Sequence, residues 1–435
     1  MNTGDTVRRE DSESPGEIYR RSAVIGAGYF TVALVEPMYN AYVPLMLADH
    51  LDGSVAVGGV LSTLNLIAPL IIPLFAALSD RTITRIGRRM PFIVGFLPPA
   101  AVALALVPVA AQTGLYRLLG ALVALHFFRH AARGPVVALM PDLVPPDQRS
   151  QANGVINTMG GLAAITATVL LAPLITVAID IPGVGLTRRV LPFWIVSVLM
   201  VTSTIFLFLN VREPVVGGER RTRETPSVLS SLKTVFRAGR SGALPILLAV
   251  LLSFTGWKLL SPFITLYARD VLGAGEGAAG LSFGMIAISQ TAFAVPGGII
   301  AARFGRRRVI SVALLVLATI GLGLWLNHRA VTATVDAETA ATGLYLFWGL
   351  LFLMGLSWVI LITNSLPMLW DMGGPDTVGL YTGLYYLASQ TALVAGPGLG
   401  GVVIEYVGFG GLFIAFGMAM VGTVLLLRST RALRL

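Results

Sequence analysis

The chain has 435 residues, 55% of them hydrophobic and only 12% charged, with a mean hydropathy of +0.80. A soluble protein carries roughly a quarter charged residues, so this composition excludes an ordinary soluble domain and points to a polytopic membrane protein. The net charge of +9 is no nucleic-acid signal, because the basic residues sit between apolar runs and not on one face; they mark topology and are placed to meet anionic lipid heads. The absence of cysteine rules out disulfides, iron–sulfur clusters and thiolate chemistry.

Residues 1–22 are a polar tail in which Arg8 and Arg9 precede acidic residues and no apolar core, so neither a twin-arginine nor a secretory signal is expected. Twelve apolar runs follow, near 23–47, 55–79, 91–111, 115–140, 151–178, 190–211, 243–268, 277–301, 309–327, 344–369, 380–403 and 409–427. Each is long enough for the roughly 20 helical residues that cross a bilayer. With the amino terminus inside, 23 of the 31 Lys and Arg fall in cytoplasmic segments, five fall outside, and Arg129, Arg133 and Lys258 fall within spans. Short basic loops stay cytoplasmic, so both termini are expected there. The expected fold is an all-α membrane protein with twelve transmembrane helices in two pseudo-symmetric six-helix bundles, 23–211 and 243–427. A cytoplasmic central loop, 212–242, separates them, and 428–435 form a short cytoplasmic tail. Within the loop Val228, Leu229, Leu232, Val235 and Phe236 have helical spacing beside Lys233 and Arg237, which reads either as a helix on the membrane interface or as an unstructured linker.

Between the second and third runs lies a short loop dense in charge, with Asp80, Arg81, Arg85, Gly87, Arg88 and Arg89. Arg303, Gly305 and Arg306 to Arg308 repeat it at an offset of 218 residues. Asp142 to Arg149, followed by Gly154, overlays Asp371 to Asp376, followed by Gly383, at an offset of 229. Six spans repeated as six spans is the architecture of major facilitator transporters.

The loop Asp80-Arg81-x-x-x-Arg85-x-Gly87-Arg88-Arg89-x-Pro91 resembles the cytoplasmic loop of the major facilitator superfamily, and its spacing is most similar to that of glycoside–pentoside–hexuronide and sucrose-type sugar symporters. The resemblance implies a sugar carrier with a central cavity. Two positions depart from it: Ala302 stands where the second loop usually has Asp, and the second span offers Asn65 where melibiose-type relatives use aspartates for sodium. Sodium coupling is therefore not expected. Physically the loop can act as a cytoplasmic latch, with Asp80 against a helix N-terminus of the other half and Asp142 and Arg149 completing a charge network. Otherwise its arginines only fix topology. The latch suits Asp80, Arg81 and Arg149; topology alone suits Arg306 to Arg308.

Ionisable residues inside spans are costly and are functional candidates. Glu36, Arg129 and Lys258 sit at the centres of the first, fourth and seventh runs, with Asn65, Gln290 and Gln390 also near mid-span and Asn40 one turn beyond Glu36. Aligning Asp49 with Asp270 puts Glu36 against Trp257, beside Lys258, so Glu36 is expected to face Lys258 or Arg129. A structural ion pair bridging helices is the plainer reading of the same residues. His126, Arg129, His130 and Arg133 form one helical face. Arginines beside the histidines repel a cation, so no metal is expected there. Gly396-Pro397-Gly398-Leu399-Gly400-Gly401 is explained by close helix packing.

The function expected from these residues is proton-coupled transport of a sugar or glycoside by alternating access, by a monomer in the cell membrane, with a small solute, protons and lipid as its partners. No cofactor and no nucleic acid are expected. A basic cavity keeps an organic-anion or sugar-acid carrier or exporter open. A membrane-embedded enzyme is remote, since no Gly-x-Ser-x-Gly, His-Glu-x-x-His or phosphate-cradling loop is present.

Overall fold

In hydrocarbon a backbone must satisfy its own hydrogen bonds, which leaves helices and closed barrels. The computed structural model describes residues 15–144, 149–213, 243–334, 337–372 and 378–429, and these are helical almost throughout. The first six crossings are α1 (Pro15–Ala48), α2 with α3 (Ser54–Asn65, Ile67–Arg81), α4 (Met90–Thr113), α5 (Leu115–Leu143), α6 (Arg149–Ile165) and α7 (Val190–Asn210). α6 runs on through a π turn, Thr166–Leu170, and a 3-10 turn, Ala172–Thr176. The second six are α8 with α9 (Leu244–Leu260, Ile264–Asp270), α10 (Glu276–Phe304), α11 (Arg306–Ala333), α12 (Ala337–Trp370) and the two arms of α13 (Val378–Ser429).

Eight of these helices are long and apolar enough to cross a membrane by length and composition, the last of them α13. At 1.5 Å per residue, the 52 residues of α13 would reach about 78 Å, more than twice the roughly 30 Å of a bilayer core. Gly408, at φ 80° and ψ 178°, breaks it into two crossings, between the apolar runs 380–403 and 409–427. α1, α5 and α6 with its continuation complete the twelve. Leu70, Leu209 and Val407 stand exposed on the flanks, as side chains facing lipid would. α1 begins at Pro15, inside the stretch read as the polar tail. The possible interface helix of the central loop lies outside the described residues.

The repeat is written in geometry as well as in sequence. Gly87 and Gly305, 218 residues apart, both take positive φ (106° and 90°), which a side chain resists. Arg88 pairs with Asp142 at 3.1 Å, and their counterparts Arg306 and Asp371 also pair. Each half therefore ties its inter-helix turn to the end of its fourth helix in the same way.

The halves meet along glycine faces. A Cβ on Gly58 of α2 would lie 2.3 Å from the carbonyl oxygen of Pro397, and one on Gly401 of α13 would lie 2.2 Å from that of Ser54. Within the second half, Cβ atoms at Gly396 and Gly400 of α13 would strike Lys258 and the Leu259 carbonyl of α8. The Gly-Pro run thus serves close packing, and it fixes where Lys258 stands.

Candidate functional site

Glu36 lies in α1 directly before Pro37, whose missing N–H leaves the Ala33 carbonyl without a helical partner. Its carboxylate opens into a small polar cavity lined from both halves. Arg129 of α5 donates from Nη2 to Oε2 of Glu36, while Nζ of Lys258 stands 3.7 Å from Oε1. Asn40, one turn along α1, donates to Oε1 at 3.5 Å. One carboxylate therefore touches a cation from each half. The Glu36 side chain is 38% exposed, against 5% for Arg129 and 18% for Lys258, so the anion faces the cavity while its cations are recessed.

The cavity wall holds polar atoms without partners among the described residues. They are Nε and Nη1 of Arg129, both ring nitrogens of His126 and the hydroxyl of Tyr39. Buried polar groups are normally hydrogen-bonded, and a set of orphans around one space is what a solute or water would satisfy. Tyr39 packs edge-on against His126, with centroids 4.9 Å apart. Asn65 lines the cavity and donates to the Leu393 carbonyl at 3.0 Å, tying α2 to α13. Trp257 stacks on Trp358 at 4.5 Å and 10°, behind Lys258.

A model of the family described as MFS/sugar transport protein matches residues 24–427. The chain belongs to that family. No curated protein matches it. Among solved structures, the nucleoside transporter NupG has a TM-score of 0.70 at 11% identity, covering 95% of this chain and 98% of that one. A point mutant of NupG gives 0.70 at 13%, covering 95% and 100%. A bacterial homologue of the human lysosomal transporter Spinster, solved inward-facing and occupied, gives 0.66 at 16%, covering 94% and 95%. These likenesses carry the fold. The protein is a secondary transporter of the major facilitator fold, a multi-pass membrane protein for a small solute and not an enzyme.

For this transporter the candidates read from sequence divide in two. Glu36, Asn40, Asn65, Arg129 and Lys258 share the cavity. His130, Arg133, Trp257, Gln290 and Gln390 are not in its lining; Trp257 backs the wall, and the Gln390 carbonyl oxygen is buried without a partner among the described residues. The sequence reading passed over Tyr39, although its i+3 spacing from Glu36 places it on the same helix face.

The charged turn is arranged differently from the latch expected of it. Asp80 pairs with Arg89, and Arg89 donates from Nε to Asp142 at 2.9 Å, all within the first half. The carboxylate at a helix N-terminus is Glu213, not Asp80. Glu213 accepts the backbone N–H groups of Arg88, Arg89 and Met90 at 2.7–3.1 Å, capping α4 beside Gly87. A lone Glu just past a helix end carries no sequence signal for that role. No ion pair involving Arg81, Arg85 or Arg303 is present among the described residues, though Arg303 lies over the Phe304 ring at 5.5 Å. The side chain of Arg149 lies outside them. Arg306 and Arg307 do more than mark topology: Arg306 holds Asp371, and Arg307 donates to the Leu427 carbonyl at 2.6 Å.

Arg89 is 5% exposed and serves two carboxylates. Arg89→Ala leaves both without it, but Asp142 keeps Arg88 and Asp80 is largely exposed, so the cost is that of a lost charge-assisted hydrogen bond, about 1.5–3 kcal/mol. The expected result is a clearly lower melting temperature in detergent with solute affinity unchanged; an unshifted melting temperature counts against the brace.

Proposed function

We propose that the chain carries a sugar or glycoside together with a proton, by alternating access of its two halves. The observation that carries this reading is Glu36, an acid facing the cavity and held by one cation from each half. Rocking one half over the other changes that contact, so protonation follows conformation. Asn40, Asn65 and Tyr39 offer neutral hydrogen-bonding groups to hydroxyls, and the loop motif favours the glycoside–pentoside–hexuronide and sucrose-type relatives. The domain limits 23–211 and 243–427, cytoplasmic termini and a monomeric carrier belong to the same proposal.

A second reading, an organic-anion or sugar-acid carrier or exporter, is favoured by the two nitrogens of Arg129 that have no partner among the described residues. Proteoliposomes offered a panel of labelled sugars, glycosides and sugar acids decide between them. Accumulation of a neutral sugar that collapses with a protonophore supports the first, and selective accumulation of acids supports the second. Sodium is not expected to drive either, since among the described residues Glu36 is the single acidic side chain lining the cavity with Asn65. Uptake that rises steeply with a sodium gradient at clamped pH would overturn that expectation.

A further inference from the structure

At the end of the molecule away from the arginine-rich turns, charges from both halves converge on one guanidinium. Arg189 follows the antiparallel hairpin of β1 (Ile179–Ile181) and β2 (Gly185–Thr187) and directly precedes α7. It is 9% exposed. It donates from Nε to Glu276 at 2.7 Å, pairs with that carboxylate again through Nη2, and donates from Nη1 to Asp49 at 2.5 Å. Asp49 follows the end of α1 in the first half; Glu276 opens α10 in the second. Arg269, near the end of α9, binds the other oxygen of Asp49 at 3.1 Å and also Asp270. Glu276 at the start of α10 and Arg269 near the end of α9 suit the helix dipoles, while Asp49 and Asp270 at helix C-termini and Arg189 before α7 do not, so the ion pairs and not the dipoles hold the cluster.

Three further observations set this end apart. Arg189 has φ 68°, the single positive φ outside glycine among the described residues, and its backbone N–H is fixed to the Ile175 carbonyl at 3.0 Å. A bulky residue held in that region signals that the surroundings demand it. Around it the halves are close-packed: a Cβ at Gly277 would meet the Ala172 carbonyl at 2.9 Å, and one at Gly280 would overlap the Tyr42 hydroxyl. Glu405 of α13 adds a strap by accepting the Ser54 N–H of α2 at 2.9 Å. At the opposite end, by contrast, the ion pairs among the described residues, Asp80 and Asp142 with Arg88 and Arg89, and Arg306 with Asp371, each stay within one half.

We propose that Arg189, with Asp49, Glu276 and Arg269, is the bolt that closes the solute path on the outer face, and that the bolt must break each time the carrier opens outward. Burial works against the Arg189 charge, but hydrogen bonds and attraction from Glu276 and then Asp49 outweigh it and hold its pKa above the ordinary value. The cation therefore persists, and the bolt opens by helix movement rather than by loss of the arginine proton.

The absence of native cysteine gives a clean test. Ser261, in the cavity lining, is replaced by cysteine, and labelling by a membrane-impermeant thiol reagent is followed from each side of oriented vesicles. Expected is slow outside labelling with the bolt intact, and a rate about tenfold higher or more with Arg189→Ala or Glu276→Gln added, as a population shift of that size requires. Arg189→Lys, which keeps a cation between Asp49 and Glu276, should bring the rate back down relative to alanine. Unchanged outside labelling in Glu276→Gln, or in Arg189→Gln where alanine fails to fold, overturns the bolt. An increase confined to the cytoplasmic side instead overturns the orientation proposed above. Labelling reads conformation, so it does not depend on which solute is carried.

Discussion

Glu36→Gln is expected to abolish accumulation driven by a proton gradient while leaving solute exchange between the two sides intact. Glu36 is the acid in the cavity lining, and its two oxygens are divided between Arg129 of the first half and Lys258 of the second. A carboxylate held by cations stays ionised; one that loses them in a low-dielectric space takes up a proton. Solute bound to Arg129 or Lys258 would release Glu36 and so couple the two. Glutamine keeps the shape and one of the two acceptor oxygens but cannot take up or release a proton, so exchange survives and the accumulation ratio falls to about one. Lys258→Ala alone should be strongly impaired in exchange as well, because it leaves the carboxylate short of its partner from the other half, and its exchange should be partly restored when combined with Glu36→Gln. Accumulation by Glu36→Gln at the wild-type rate would mean that the proton travels elsewhere and that the pair is structural.

The second large effect is expected at Gly401. Its missing side chain lets α13 sit against the start of α2, where a Cβ would lie 2.2 Å from the Ser54 carbonyl oxygen and 2.9 Å from its carbon. Backbone cannot step aside as a flexible side chain can, so valine there must push α2 and α13 apart. Gly401→Val should then keep the outer end from closing. Net uptake is expected to fall about tenfold or more, with outside labelling at position 261 raised in parallel. Gly349 of α12 has open space where its Cβ would go, and Gly349→Ala should transport normally. Gly401→Val with normal uptake would show that this contact is not part of the closed state.

Much of the protein was legible because the bilayer leaves few choices. Twelve runs of about the required length, a loop repeated after half the chain and a one-sided arginine distribution follow from the cost of charge and of open backbone in hydrocarbon. The same cost singled out Glu36, Arg129 and Lys258, and the repeat alignment that set Glu36 beside Lys258 anticipated the observed 3.7 Å contact. What the sequence could not convey is which of several nearby opposite charges would pair. Asp80 chose Arg89 within its own half, and Glu213 took the helix N-terminus that Asp80 was expected to occupy. Arg188 and Arg189 read alike in sequence, yet the hairpin turns Arg189 inward to three partner atoms across two halves. Solvation cost depends on one residue and its depth, so the sequence by itself determined the spans, the repeat and the buried charges. Pairing depends on helix rotation and on how closely glycine faces let neighbours approach, and only the tertiary structure decided that.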